Sequence, residues 1–139
     1  MASKKISVSV TYTVPAQGIN TTRITNAIQR TLQGEKVKQA DIAVIIVSDD
    51  ELLELNKMYL NHHYYTDVIT FPLGDEGGPI EGEIYISMDT AAAQAKEYSV
   101  SRTNELTRLA VHGTLHLVGY DDATKEQRQH MHVLENKYI

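Results

Sequence analysis

The run Ile42-Ala-Val-Ile-Ile-Val47 is apolar at every position, so it must be covered on both faces. It reads as a strand, about Ala40 to Val47, in the middle of a sheet. Other strands are expected where residues alternate: 6–12, Thr66–Phe71 closed by Pro72, and Ile80–Ser87. Between them lie segments with helical spacing and start signals. Ile24, Ala27, Ile28, Thr31 and Leu32 share a face that ends at Gly34, and Ser48 with Glu51 forms a capping box for a helix that aligns Leu52, Leu55 and Tyr59. Ser87 or Asp89 can cap an alanine-rich helix running through Tyr98. Thr124 with Gln127 is a second capping box, and the helix it starts lines up Met131, Leu134 and Tyr138. These elements predict an α+β fold over residues 1–139, a single domain with about four strands in a mixed sheet packed with about five helices. There is no internal repeat or domain boundary.

The remaining helix, capped by Ser101, carries the chemistry. At 100° per residue Leu106, Leu109, Ala110, Gly113 and Leu117 face the core, while Glu105, Arg108, His112, His116 and Gly119 form the neighbouring stripe. Val111, Leu115 and Val118 are also apolar, which places this helix centrally with cover nearly all round. A single helical histidine is more often a hydrogen-bonded core residue than a ligand. Two at i, i+4 point at one ion. Gly119 then breaks the helix, and Asp121 or Asp122 can swing back to supply an oxygen. His112-x3-His116-x5-Asp122 is the spacing by which a helix and its following turn surround one metal.

The chain has no cysteine, so any metal is held by nitrogen and oxygen. Zinc proteases carry glutamate after the first histidine as general base. Here that position is Gly113, which counts against peptide hydrolysis. Glu105, two turns (~10 Å) before His112, can orient water.

The net charge of −5 argues against bulk electrostatic binding of nucleic acid. Any basic groove has to be gathered by folding from Arg23, Arg30, Lys36, Lys38, Lys57, Arg102 and Arg108. No apolar stretch approaches the ~20 residues of a membrane span. The segment after Met1–Lys5 alternates like a strand and is no secretory run, so a cytoplasmic location is expected. His62, His63, His130 and His132 are read as non-ligands.

His112-Gly-x-Leu-His116-Leu-x-Gly-Tyr-Asp121, with Thr66-Asp-Val-x-x-Phe-Pro72 and Gly82-x-Ile-x-Ile-Ser87, resembles the YbeY family over most of the chain. The resemblance implies a metal-dependent, single-strand-specific endoribonuclease of α+β fold. It also implies a role in ribosomal RNA maturation, especially at the 3′ end of small-subunit RNA, and in ribosome quality control. The implied ligands are His112, His116 and Asp122 around one zinc ion, with Asp122 standing where the family usually has a third histidine. A carboxylate there makes the ion a weaker Lewis acid. Leu60 stands where the family commonly carries an arginine, so a phosphate clamp is missing, and Lys57, Arg102 and Arg108 are the candidates to replace it. Thr66 and Asp67 are candidate cleft residues. Single-stranded and ribosomal RNA are the implied partners, with ribosomal proteins or a ribosome-associated GTPase left open. Two rival readings remain: a metal-dependent hydrolase of peptides or other small substrates, and a ribosome-associated binding protein with a structural metal.

Overall fold

Cover on both sides of Ile42–Val47 organises the fold in a computed structural model of the chain, which describes residues 6–62 and 66–139. In chain order the elements are β1 (Ile6–Tyr12), α1 (Thr21–Gly34), β2 (Ala40–Val47), α2 (Asp49–Leu60), β3 (Val68–Pro72), β4 (Ile80–Ser87), α3 (Met88–Glu97), α4 (Arg102–Val118) and α5 (Lys125–Tyr138). The four strands form one mixed sheet in the order β1-β2-β4-β3. β1 and β4 run parallel to β2, and β3 pairs antiparallel with β4 as an edge strand. The expected α+β class, strand number and helix number are all observed.

Strand pleating sends Ile42, Val44 and Ile46, with Ile84 and Ile86, to one face, where they meet Ile24, Ile28 and Leu32 of α1 and Leu106, Leu109 and Ala110 of α4. Ile45, Val47, Ile69, Phe71 and Tyr85 face the other way, against Leu52 and Leu55 of α2. Each fully buried aliphatic side chain contributes ~1.5–3 kcal/mol. An exposed pair such as Lys57–Glu54, at 3.6 Å, contributes ~0–1 kcal/mol. The sheet–helix seam therefore sets where α4 lies.

α4 is sheathed on its remaining side by α5, through Val111 and Leu115 against Met131, Leu134 and Tyr138. It lies close on the sheet because Gly113 has no side chain: a Cβ there would come within 2.8 Å of Ile84 and 3.0 Å of Thr70. Ile84 and Thr70 are register partners across β4 and β3. The close approach thus sets His112 beside the sheet's edge strand.

Two details differ from the sequence reading. The third strand begins at Val68, so Thr66 and Asp67 lead into it and their side chains are free of the pleat. Tyr59 does not share the buried face of α2. It is 62% exposed, and Asn56, one turn after Leu52, is buried in its place. The sheet ends at β3, and Tyr59 in the last turn of α2 meets the Phe71 ring at its margin in a T-shaped contact, 5.7 Å between centroids. At α3 the expected cap forms, and of its two candidates Ser87 is the N-cap, accepting from the Thr90 amide. His63 and residues 1–5 lie outside the described residues.

Candidate metal centre

Ser101 starts α4 by accepting from the Asn104 amide, and Gly119 ends it with φ +124°, a backbone conformation that side chains disfavour. The reversal brings Asp122 back against the helix end. Its Oδ2 lies 3.3 Å from His112 Nε2 and 3.4 Å from His116 Nε2, and the two Nε2 atoms are 3.0 Å apart. Of the two aspartates left open by the sequence, Asp122 is the one that joins the histidines. Among the described residues, this is the one group of three His, Asp or Glu side chains arranged so that each offers an atom to a single ion.

Both imidazoles are aimed by their other nitrogen. His116 Nδ1 donates to the Tyr120 carbonyl at 2.9 Å, and His112 Nδ1 lies 2.7 Å from Glu135 Oε2. A carbonyl has no proton to give, so His116 holds its hydrogen on Nδ1 and presents a lone pair at Nε2. The Glu135 carboxylate imposes the same tautomer on His112. Three acceptor atoms then converge with no donor among them, an arrangement that repels itself until a cation or proton enters. The donor set therefore fits a metal ion, with nitrogen and oxygen ligands and both histidines fixed from behind. Burial pulls the His112 pKa down, but the Glu135 hydrogen bond and the charges of Glu135, Asp122 and Asp67 outweigh it, and the net shift is upward.

The Tyr120 carbonyl is itself braced. The Tyr120 hydroxyl donates to Glu35 Oε1 at 2.6 Å, and the Tyr138 hydroxyl donates to Glu35 Oε2 at 2.5 Å. Burial pushes the Glu35 carboxyl up, yet these phenol bonds, helped by Lys137 and His130, hold it below its ordinary value.

The group opens onto two cavities that share Asp67, Val68 and His112, so the centre stands in a continuous trench. One lobe, about 460 Å³, runs between α2 and β3 past Asn56, Leu60, Thr66 and Asp122. The other, about 490 Å³, lies between α3, α4 and α5 and reaches Tyr98, Asn104, Glu105 and Arg108. Thr66 and Asp67 thus line the trench, and Asp67 also accepts a hydrogen bond from Gln94 at 3.3 Å. Lys57 lines neither lobe and pairs with Glu54. Arg102 is turned to the Gln17 carbonyl, 2.9 Å. Arg108 is the one lysine or arginine among the lining residues, and it is engaged by Glu135 at 3.2 Å and Asn136 at 2.9 Å.

Glu105 is 2% exposed, in the wall of the second lobe, and stands apart from the His112–His116–Asp122 group. His62 lines the first lobe and His132 the second, while the ring of His130 sits 5.6 Å from Tyr120. None of the three joins the group. The sequence reading missed Glu135 and the Tyr120 carbonyl. Glu135 did leave a signal, a carboxylate on the otherwise apolar stripe Met131, Leu134, Tyr138. A backbone carbonyl leaves none.

Fold and group together define a class: one α+β domain with a helix-borne group able to hold a metal in an open trench. The profile of the family Endoribonuclease YbeY matches residues 9–139, and the chain belongs to that family. It is 39% identical over 134 residues to the Endoribonuclease YbeY of Chloroherpeton thalassium, across 96% of this chain and 94% of that protein. With the Endoribonuclease YbeY of Salinibacter ruber it shares 34% identity over 139 residues, 94% of this chain and 88% of the relative. The solution structure of TM1509 from Thermotoga maritima matches with a TM-score of 0.62 at 29% identity, over 96% of this chain and 85% of that one.

Proposed function

We propose that this protein is a zinc-dependent endoribonuclease that cuts single-stranded RNA during ribosomal RNA maturation, small-subunit 3′ ends included, in the cytoplasm. The observation that carries the reading is the convergence of His112 Nε2, His116 Nε2 and Asp122 Oδ2 in an open trench, in a chain of the Endoribonuclease YbeY family.

His112, His116 and Asp122 would hold one ion, which when bound supplies Lewis-acid stabilisation of phosphoryl charge and acidifies water. Glu135 and the Tyr120 carbonyl keep both histidines in the tautomer that leaves Nε2 free. Thr66, ahead of the edge strand, donates its hydroxyl to the phosphate, and Asp67 accepts from the sugar hydroxyl beside the group. With Leu60 in the first lobe and Arg108 already paired, the grip on phosphate is sparse, so placement of the RNA falls partly to a ribosomal partner.

The test is cleavage of a single-stranded RNA, and of the same sequence as DNA, by zinc-loaded protein and by His116→Ala. We expect RNA cleavage by the wild type to fall at least about a hundredfold in the variant. Equal cleavage by both proteins would overturn the reading. Equal cutting of DNA by the wild type would show that the 2′-hydroxyl is not the nucleophile and leave water in that role.

A further inference from the structure

The lobe between α3, α4 and α5 carries features that metal binding does not use. Glu105 lines it, is 98% buried by its 2% exposure, and its Oε1 has no hydrogen-bond partner. An unsatisfied buried acceptor costs stability, so Glu105 Oε1 calls for a donor. Burial pushes the Glu105 carboxyl up, against the pull of Arg108, with Asp67 and Glu135 adding to the rise.

The chemistry of the lining decides what class of ligand enters. Asp67, Glu105 and Glu135 supply three carboxylates against the single guanidinium of Arg108, which is itself ion-paired, so a phosphate is repelled. A second metal ion does not fit either, because these three carboxylates do not bring an atom each to one point. What fits is neutral, flat and rich in hydrogen-bond donors. Tyr98, 58% exposed, and Val100, 39% exposed, offer an aromatic and apolar wall, and Asn104 offers an amide. The volume, about 490 Å³, is within the range of small-ligand pockets.

We infer that this lobe is a nucleobase subsite, in which an unpaired base next to the cleaved phosphate stacks on Tyr98 and is read by Asn104 and by Glu105, whose buried carboxylate turns from the wall into the lobe to meet it, with guanine preferred. Guanine alone presents two adjacent donors, N1–H and N2–H, to the ionised form of Glu105, which only accepts and which such donors stabilise, with O6 beside them for the Asn104 amide. Adenine and cytosine place a ring-nitrogen acceptor next to their amino group, which faces a carboxylate unfavourably. The subsite deepens the endoribonuclease reading and rests on it for the position of the phosphate. The water-orienting role expected for Glu105 is replaced by this one, since its carboxyl sits in the lobe wall and outside the metal group.

The test is an NMR titration of the metal-free protein with GMP, AMP, CMP and UMP, followed by cleavage of zinc-loaded protein on RNAs that differ at one unpaired base. GMP is expected to bind about tenfold more tightly than AMP and to shift the amides of Tyr98 and Asn104. Glu105→Gln should abolish that preference, and the exposed Tyr98→Ala should weaken all four nucleotides several-fold with the fold intact. Replacing guanine by inosine, which lacks the 2-amino group, should reduce cleavage in the wild type and not in Glu105→Gln. Equal binding of the four nucleotides, or a preference that survives Glu105→Gln, would overturn the subsite. Base preference without RNA cleavage would uphold the subsite and overturn the endoribonuclease reading.

Discussion

His112 and His116 sit one helical turn apart, yet they are anchored by opposite kinds of partner. His116 is held by a neutral carbonyl only four residues away, supplied by the turn that Gly119 creates. His112 is held by the carboxylate of Glu135, twenty-three residues away and present only once α5 has docked on α4. One half of the centre is built by local chain geometry, the other by tertiary packing and charge. The charged anchor does more than aim its ring, because it also makes His112 more basic.

The largest predicted effect breaks the charged anchor. Glu135→Gln keeps an oxygen for His112 Nδ1 and removes the negative charge, and zinc affinity measured by chelator competition should fall about 10–100-fold. A change within about twofold would show that the two anchors are equivalent. Leu60→Arg leaves both anchors untouched and adds a cation to the first lobe. Single-strand RNA affinity should rise several-fold with a steeper dependence on salt, while zinc affinity stays constant. Tyr120→Phe removes the hydroxyl from Glu35 but keeps the carbonyl, so zinc affinity should hold within about twofold as stability drops by about 1 kcal/mol in thermal or urea unfolding.

The smallest effect is a pH dependence. The folded-state pKa of Glu35 is lowered, so the stability it contributes is fully present above the unfolded value of about 4.3 and is lost as pH falls through the lower folded value. The melting-temperature gap between wild type and Glu35→Gln should therefore be widest above about pH 5 and close in acid. A gap that widens in acid would mean that Tyr120 and Tyr138 do not favour the ionised carboxylate.

Much of this was legible in the sequence wherever a local rule decided the outcome. The capping pairs Ser48–Glu51 and Thr124–Gln127 both form, because their partners are three residues apart. The His112–His116 pair follows from helical spacing, and Gly119 returns an aspartate to it, with the choice of Asp122 over Asp121 made by the fold. What stayed hidden depended on which element lies against which. The helical wheel aligned Tyr59 with Leu52, but the sheet runs out beneath it. It also placed Glu105 on the His112 stripe two turns earlier, but could not tell that the packed helices bury its carboxyl. Arg108 looked like a free cation on the same stripe, and Glu135 and Asn136 claim it only after α5 folds back.

The contiguity of residues 112–122 has one more consequence, for the unfolded chain. A ligand set confined to one helix and its turn closes a very short loop, so little chain entropy opposes its assembly. The loop that the ligands close is thus cheap to form, and zinc should protect the amides of α4 from hydrogen exchange more than those of the sheet's far strand. The ion would act as a local clasp for one foldon, leaving the global unfolding of the sheet to its aliphatic seam.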